Sequence, residues 1–234
     1  MGRLGGTAPT ERRHAVVTEY YLRGVVAQWV GVTPPGILDW EITRPGEGEV
    51  VTARRLLTRL VANYGRLFDV VSVDAPYLEA PFLKAVLDAG KHFVAVLKQE
   101  ARELYQDAAQ LRDLLPPQVV QDERRTSQLW DIPDLTTFTT LGRSVRVVGS
   151  HERTVKTKIV GNRKEDRVEA KTWIWATDMP VSAVSAPRIQ RWGHDRWDVE
   201  DRGFNERVNL CLTRFCGTPL WPKSLDSSQA RSRT

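Results

Sequence analysis

A short apolar run that ends in an acid, residues 68–75 (Phe-Asp-Val-Val-Ser-Val-Asp-Ala), constrains the fold of this chain more than any other stretch. Its length and composition are typical of a buried strand, and the Pro76 that follows is typical of a strand-to-helix junction. Such a strand delivers Asp74 to its carboxyl end, where open α/β sheets build their sites. Asp74 is then either the N-cap of the next helix, the commoner role, or an acidic ligand that needs a second carboxylate.

The composition indicates a globular protein with a mild preference for polyanions. The 234 residues are 41% hydrophobic and 27% charged, and the net charge is +5. Lys and Arg in excess attract phosphate. No apolar run is long enough for a membrane span or a signal core, so we expect a cytoplasmic protein with no membrane partner. Cys211 and Cys216 lack zinc-ligand spacing and are expected to be free thiols.

Hydrophobic periodicity predicts an α/β layer in the first half of the chain. Strands are expected at 20–31, 37–43, 68–75 and 93–97, and helices at 47–64, from Pro76 to Asp88 and at 100–115. This order, β-β-α-β-α-β-α, gives a sheet of mixed strand directions with flanking helices.

Short β-like runs then predict a small antiparallel β insertion before the last helix. The runs are 135–141, 145–148, 154–160 and 172–176, with a polar loop at 162–167 between the last two. A helix is expected from about Ala186. The predicted organisation is a loose N-terminus (1–18), one α/β domain (19–118 and 181–210), the β-rich insertion (119–180) and a poorly ordered tail (211–234).

Three residues near the end of the predicted α/β domain share one helix face. At 100° per residue, Arg196, Glu200 and Arg207 fall within about 40° of one another. Such a group is most often a surface ion pair. With Asp74, it also fits a site for phosphodiester chemistry, in which Asp74 and Glu200 bind Mg²⁺ or Mn²⁺ and Arg196 and Arg207 contact phosphates.

The same residues carry a family resemblance. Arg196, Glu200 and Arg207 match the Arg-(3)-Glu-(6)-Lys part of the signature Tyr-(2)-Arg-(3)-Glu-(6)-Lys, with Arg in place of Lys. Residues 71–77, Val-Ser-Val-Asp-Ala-Pro-Tyr, are similar to the segment around the second catalytic Asp. The chain resembles, over about residues 15–210, the catalytic region of a bacterial DDE transposase of the insertion-sequence-four type.

The resemblance implies an RNase H-like fold, a β insertion between the last two acids and a transposase function. Asp74 and Glu200 would be catalytic metal ligands for Mg²⁺ or Mn²⁺, in DNA transposition by phosphodiester cleavage and strand transfer. The partner would be double-stranded DNA at transposon ends, bound by a homodimer in the nucleoid.

Departures from the family pattern predict a truncated or inactive copy. Gly193 stands where the signature has Tyr, and residues 1–19 contain no Asp to serve as the first catalytic acid. We therefore expect an exposed sheet edge where a strand is missing, and weak or absent metal binding. The alternatives are a non-catalytic DNA-binding or interaction remnant, and an unrelated α/β domain in which Asp74 is only an N-cap.

Two further features have a functional and a structural interpretation. Lys98 follows the predicted strand 93–97 and is either a DNA contact at the sheet edge or a solvated lysine. Eight tryptophans could stack on bases, but Trp173 and Trp197 are expected in the core.

Overall fold

The computed structural model describes residues 23–31, 36–98, 102–160 and 163–197. Within them lie, in chain order, β1 (Gly24–Trp29), β2 (Gly36–Ile42), α1 (Glu49–Tyr64), β3 (Val70–Val73), α2 (Ala80–Asp88), β4 (His92–Val96), α3 (Glu103–Arg112), β5 (Gln118–Asp122), β6 (Arg125–Leu135), β7 (Val145–Val160), β8 (Arg163–Thr177) and α4 (Ala186–Asp195). None of the helices in this part of the chain is long and apolar enough to cross a membrane.

The strands form a hairpin and a larger mixed sheet. β1 and β2 pair antiparallel, and the other strands form a six-stranded sheet in the order β3-β4-β8-β7-β6-β5. β3 and β4 are parallel because α2 provides the crossover between them, whereas all other neighbours are antiparallel. The predicted mixed α/β class is confirmed. Its finer RNase H-like description stays a prediction.

Helices cover both faces of the six-stranded sheet. Side chains of β4 alternate: Phe93 and Ala95 join the core beneath α1, α2 and α3, and Val94 and Val96 join the core beneath α4. All four are at most 2% exposed. Burial on both faces explains why this strand reads as a continuous apolar run.

Ion pairs join the β1–β2 hairpin to α1. Arg55 contacts Glu41 (Nε to Oε1, 2.9 Å) and Glu47, and Arg59 contacts Asp39 and Glu41. Among the described residues, no strand hydrogen bonds join the hairpin to the six-stranded sheet. The hairpin therefore depends on side-chain contacts for its position.

The antiparallel part corrects two predictions. The run at 135–141 is not a strand, because β6 ends at Leu135 and a 3₁₀ turn occupies Thr139–Leu141. The runs at 154–160 and 172–176 belong to β7 and β8, and β8 already begins at Arg163, inside the predicted loop. Most residues at 163–171 are charged, so the start of β8 lacks the apolar period that indicates a strand.

The antiparallel strands also continue the α/β sheet. Residues 94–96 of β4 pair with residues 175–177 of β8, so one sheet runs from β3 to β5. At the other side of β3, no strand among the described residues pairs with its outer edge. The missing strand and the exposed edge expected from it stay predictions.

Candidate nucleic-acid interface

Asp74 lies directly after β3, at the carboxyl end of a parallel strand. Its Oδ1 accepts a hydrogen bond from the backbone N–H of Ala75 (2.9 Å) and caps the 3₁₀ turn Ala75–Tyr77. The N-cap interpretation of Asp74 is confirmed for this short turn. The cap leaves the second carboxylate oxygen available for other contacts.

Two cations flank this carboxylate. Lys98 Nζ lies 3.4 Å from Asp74 Oδ1, and an Arg196 guanidinium nitrogen lies 3.9 Å from the same atom. Burial works to raise the pKa of Asp74, but the Ala75 N–H and the charges of Arg196 and Lys98 outweigh it and lower the pKa below its ordinary value. The structure thus brings together three of the five site residues that the sequence predicts.

Helix α4 delivers Arg196 to this position. Arg196 is the C-cap residue of α4, and its side chain is 11% exposed. One turn earlier, the Trp192 carbonyl accepts a hydrogen bond from the Ser72 hydroxyl on β3 (3.1 Å). Ile189 of α4 is fully buried against the sheet, and burying a side chain of this size contributes about 2 kcal/mol.

The last turn of α4 packs tightly on a tryptophan of β8. A Cβ on Gly193 would lie 2.1 Å from Nε1 of Trp175, whose side chain is fully buried. His194 packs edge-on against both Trp173 and Trp175, and Trp197 packs edge-on against Trp173. Trp173 and Trp197 are half-buried, whereas Trp175 is the core residue of this group.

A polar network lies beneath α4. Oε1 of Glu152 on β7 is 2.7 Å from Nε2 of His194, 2.7 Å from Nε2 of Gln190 and 2.9 Å from Oγ of Ser150. Burial works to raise the pKa of Glu152, but the hydrogen bonds from His194 and Gln190 outweigh it and bring the pKa to about 2. Sequence analysis misses this network because its two halves, on β7 and on α4, are far apart in the chain and each residue is typical of a surface.

A basic surface extends from the same sheet edge. The Leu97 N–H bonds to the Ile174 carbonyl, so Lys98 is level with Trp173, and the rest of the β7–β8 hairpin projects beyond it. Side chains on the α4 face of this projection share the register of Glu152. Among those whose side chains the structure describes, four are basic: Arg125, Lys156, Arg167 and Lys171.

The opposite face of the projecting hairpin has a different composition. The exposed residues that it carries are Arg153, Val155, Thr157, Asp166, Val168 and Ala170. On the α4 face, Glu169 pairs with Lys156 (2.8 Å), and Glu152 pairs with Arg125 (3.7 Å). The basic residues are therefore concentrated on the face that leads to Asp74.

The described residues supply one carboxylate at the candidate site. Among them, no group of three His, Cys, Asp or Glu side chains lies close enough to hold one. Asp74 supplies a single carboxylate, and a metal there would compete with Lys98 and Arg196. Glu200 and Arg207, the other predicted site residues, lie outside the described part of the chain.

Substitutions at Asp74 separate its cap from its charge. Asp74→Ala should cost about 1 kcal/mol of unfolding free energy, because it removes the cap. Asp74→Asn keeps a cap acceptor and should cost less. Folding lowers the pKa of Asp74, so the ionised carboxylate stabilises the folded state, and Asn at this position does not provide that stabilisation. In the wild type the stabilisation is present above about pH 4 and is lost as the pH falls through the lowered pKa. Urea unfolding from neutral to acid pH measures both effects, and equal losses in the two variants would contradict the cap.

Comparison with known proteins adds no family. No protein-family model matches the chain, and a search of the curated proteins finds no match. The fold and site define a mixed α/β protein with a cation-flanked carboxylate at the carboxyl end of a parallel strand. The resemblance to DDE transposases stays a prediction.

Proposed function

We propose that this chain is a transposase-like protein that binds double-stranded DNA through the Asp74 site and the basic face of the β7–β8 hairpin. One observation carries the proposal: Lys98 and Arg196 at the sheet edge continue into Arg125, Lys156, Arg167 and Lys171 on one face of the hairpin. A row of cations matches the phosphates of a nucleic acid backbone.

The dimensions of the hairpin suit a DNA duplex. From Trp173 to Arg167 the strand advances about 20 Å at roughly 3.3 Å per residue, the rise of about six base pairs. The pairing of β6 with β7 ends at Thr154, opposite Glu169, so the hairpin is two-stranded beyond that point, and a two-stranded β-ribbon fits within the major groove. In this proposal the ribbon lies against the duplex, and Lys98 and Arg196 hold a phosphate at its base.

Asp74 then has an electrostatic role. Its carboxylate lies within 4 Å of both cations and keeps them close together without DNA. When a phosphate binds, its attraction to Lys98 and Arg196 replaces part of their attraction to Asp74. Binding this way costs less free energy than bringing two unpaired cations together around the phosphate. Such a site binds DNA without catalysing a reaction, in agreement with the remnant interpretation.

Metal-dependent phosphodiester cleavage and strand transfer is the second candidate function. The position of Asp74 at the carboxyl end of a parallel strand favours it, because sites of α/β sheets form there. It requires Glu200 as a second ligand, and a metal that competes with the two cations at Asp74. DNA binding needs neither condition and is the better supported function.

Substitutions on the basic face should weaken DNA binding. Arg167→Ala and Lys171→Ala are each expected to weaken binding to a duplex oligonucleotide by roughly threefold to tenfold and to reduce the slope of log K against log salt by about one. Fluorescence anisotropy over a range of salt concentrations measures both quantities. The loss should be similar for unrelated duplex sequences, because phosphate contacts carry no sequence information.

Arg153→Ala is the matched control. Arg153 is an exposed arginine on the same hairpin, but it lies on the opposite face, so its removal changes the net charge equally and should change the affinity less than twofold. Equal losses for Arg153→Ala and Arg167→Ala would show that net charge alone drives binding. No duplex binding at low salt by the wild type would overturn the proposal.

Manganese distinguishes the two candidate functions. For the catalytic candidate, millimolar Mn²⁺ raises the melting temperature of the wild type but not of Asp74→Asn. For the binding candidate, Mn²⁺ affects both proteins equally, and duplex binding persists in EDTA.

A further inference from the structure

Glu152 is a buried carboxylate at the base of the surface proposed to touch DNA, where it also pairs with Arg125. The residue is 5% exposed, and burying an ionised group is costly unless it is paired. A glutamate at a solvent-exposed position of β7 would keep its hydration and pay no such desolvation penalty. Its burial under α4 therefore points to a role in holding that helix.

Two contacts of Glu152 are with α4, in addition to those with Ser150 (2.9 Å) and with Arg125, whose Nη1 lies 3.7 Å from Oε2. Gln190 and His194 are four residues apart and so share one helix face, and both reach the same carboxylate oxygen at 2.7 Å. An ionised carboxylate only accepts hydrogen bonds, so Nε2 of His194 carries the hydrogen. The anchor thus holds α4 near its carboxyl end, two residues before Arg196.

The opposite side of the same turn is held by packing. Gly193 lies against the ring of Trp175, and His194 packs edge-on against that ring. Trp175 limits how close the turn can approach the sheet, and the bonds to Glu152 prevent it from moving away. Together they fix the direction in which the chain continues to Arg196.

We propose that Glu152 is a positioning residue: by binding His194 and Gln190 it fixes the last turn of α4 and holds the Arg196 guanidinium beside Asp74. The inference about DNA rests on the proposed function, whereas the inference about Arg196 does not. A binding group must be held within about 0.5 Å by its supporting contacts to be effective. At 3.9 Å from Asp74, Arg196 is at the limit of an ion pair, where a small displacement removes the contact.

The first test follows Arg196 without DNA. In ¹⁵N spectra, Glu152→Gln should shift the Arg196 Nε–H signal and speed its exchange with water, because the anchor loses its charge. Glu123→Gln, at an exposed glutamate in the β5–β6 turn, should leave the signal unchanged. An unchanged Arg196 signal in folded Glu152→Gln would overturn the proposal, whatever the DNA affinity.

Conservative substitution of His194 covers the case in which Glu152→Gln fails to fold. His194→Gln retains an N–H donor for the carboxylate and should keep the Arg196 signal close to its wild-type position. His194→Ala loses the donor and should shift it. If the two variants shift the signal equally, ring packing rather than the hydrogen bond to Glu152 positions the turn, and the proposal fails.

The second test asks whether Glu152 acts on DNA through Arg196. Arg196→Ala should weaken duplex binding by roughly threefold to tenfold, Glu152→Gln by a similar factor, and the double variant no more than Arg196→Ala alone. Multiplied effects would show that Glu152 acts by another route. If the wild type does not bind duplex but Glu152→Gln shifts the Arg196 signal, the positioning role stands and the proposed function fails.

Discussion

Gly193→Ala is expected to lower the free energy of unfolding by about 3 kcal/mol. The new Cβ would lie 2.1 Å from Nε1 and 2.4 Å from Cε2 of Trp175, distances at which one group must move. Trp175 is fully buried and cannot swing into solvent, so α4 must shift as a whole. Alanine gains about 1 kcal/mol over glycine within a helix, which is too little to offset this overlap.

Gly149→Ala is the control for this prediction. Gly149 is a buried residue of β7, and an added Cβ would lie 3.9 Å from Cε3 of Trp130, which is an ordinary contact distance. Chemical denaturation followed by circular dichroism compares the two variants. Trp175→Phe, which provides a smaller ring, should reduce the cost of Gly193→Ala. An equal cost of alanine at 149 and 193 would contradict the overlap.

The second large effect is expected at a buried arginine. Arg146 is 3% exposed, and its guanidinium donates to both carboxylate oxygens of Asp131 (2.6 and 2.7 Å) and to the Val184 carbonyl (2.6 Å). Asp131→Ala leaves this charge buried without a counter-ion. Removing one partner of a buried pair costs about 3–5 kcal/mol, and we expect the lower end because Asp131 is 27% exposed.

Asp113→Ala is the control, because it removes the acidic partner of an exposed ion pair. Asp113 pairs with Arg112 at 2.8 Å, but its side chain is 68% exposed, so the loss should stay below about 1 kcal/mol. Arg146→Met with Asp131→Ala removes both charges and should cost less than Asp131→Ala alone. Urea unfolding measures all three. A cost for Asp131→Ala that matches Asp113→Ala would mean that water reaches Arg146.

Local patterns predict the elements that bury an apolar face. β4 is readable from sequence because both of its faces lie in the core, and α1 because its buried side chains recur at helical spacing. The extent of the β7–β8 hairpin is not predicted, because most residues at 163–171 are charged and give β8 no apolar period where it begins. The pairing of β8 with β4 is also not predictable from local patterns, because a long stretch of chain separates the two strands.

The candidate site shows the same division. Asp74 and Lys98 follow consecutive parallel strands, so their meeting at one sheet edge is predictable from strand order. Glu152 and Trp175 are not predictable as parts of the site, because their roles depend on how α4 crosses the sheet. Polar residues that act through tertiary contacts leave no periodic signal in the chain.

The attachment of the β1–β2 hairpin has a consequence for experiments in different electrolytes. Its carboxylates meet Arg55 and Arg59 at a partly solvated surface, where added ions weaken the attraction. The apolar cluster of Val94, Val96 and Ile189 beneath α4 contains no charge for added ions to screen. Raising the ionic strength thus acts on two regions at once, the hairpin and any bound polyanion. A spectroscopic probe on Trp40, which lies on β2 and is 60% exposed, would separate loosening of the hairpin from release of the ligand.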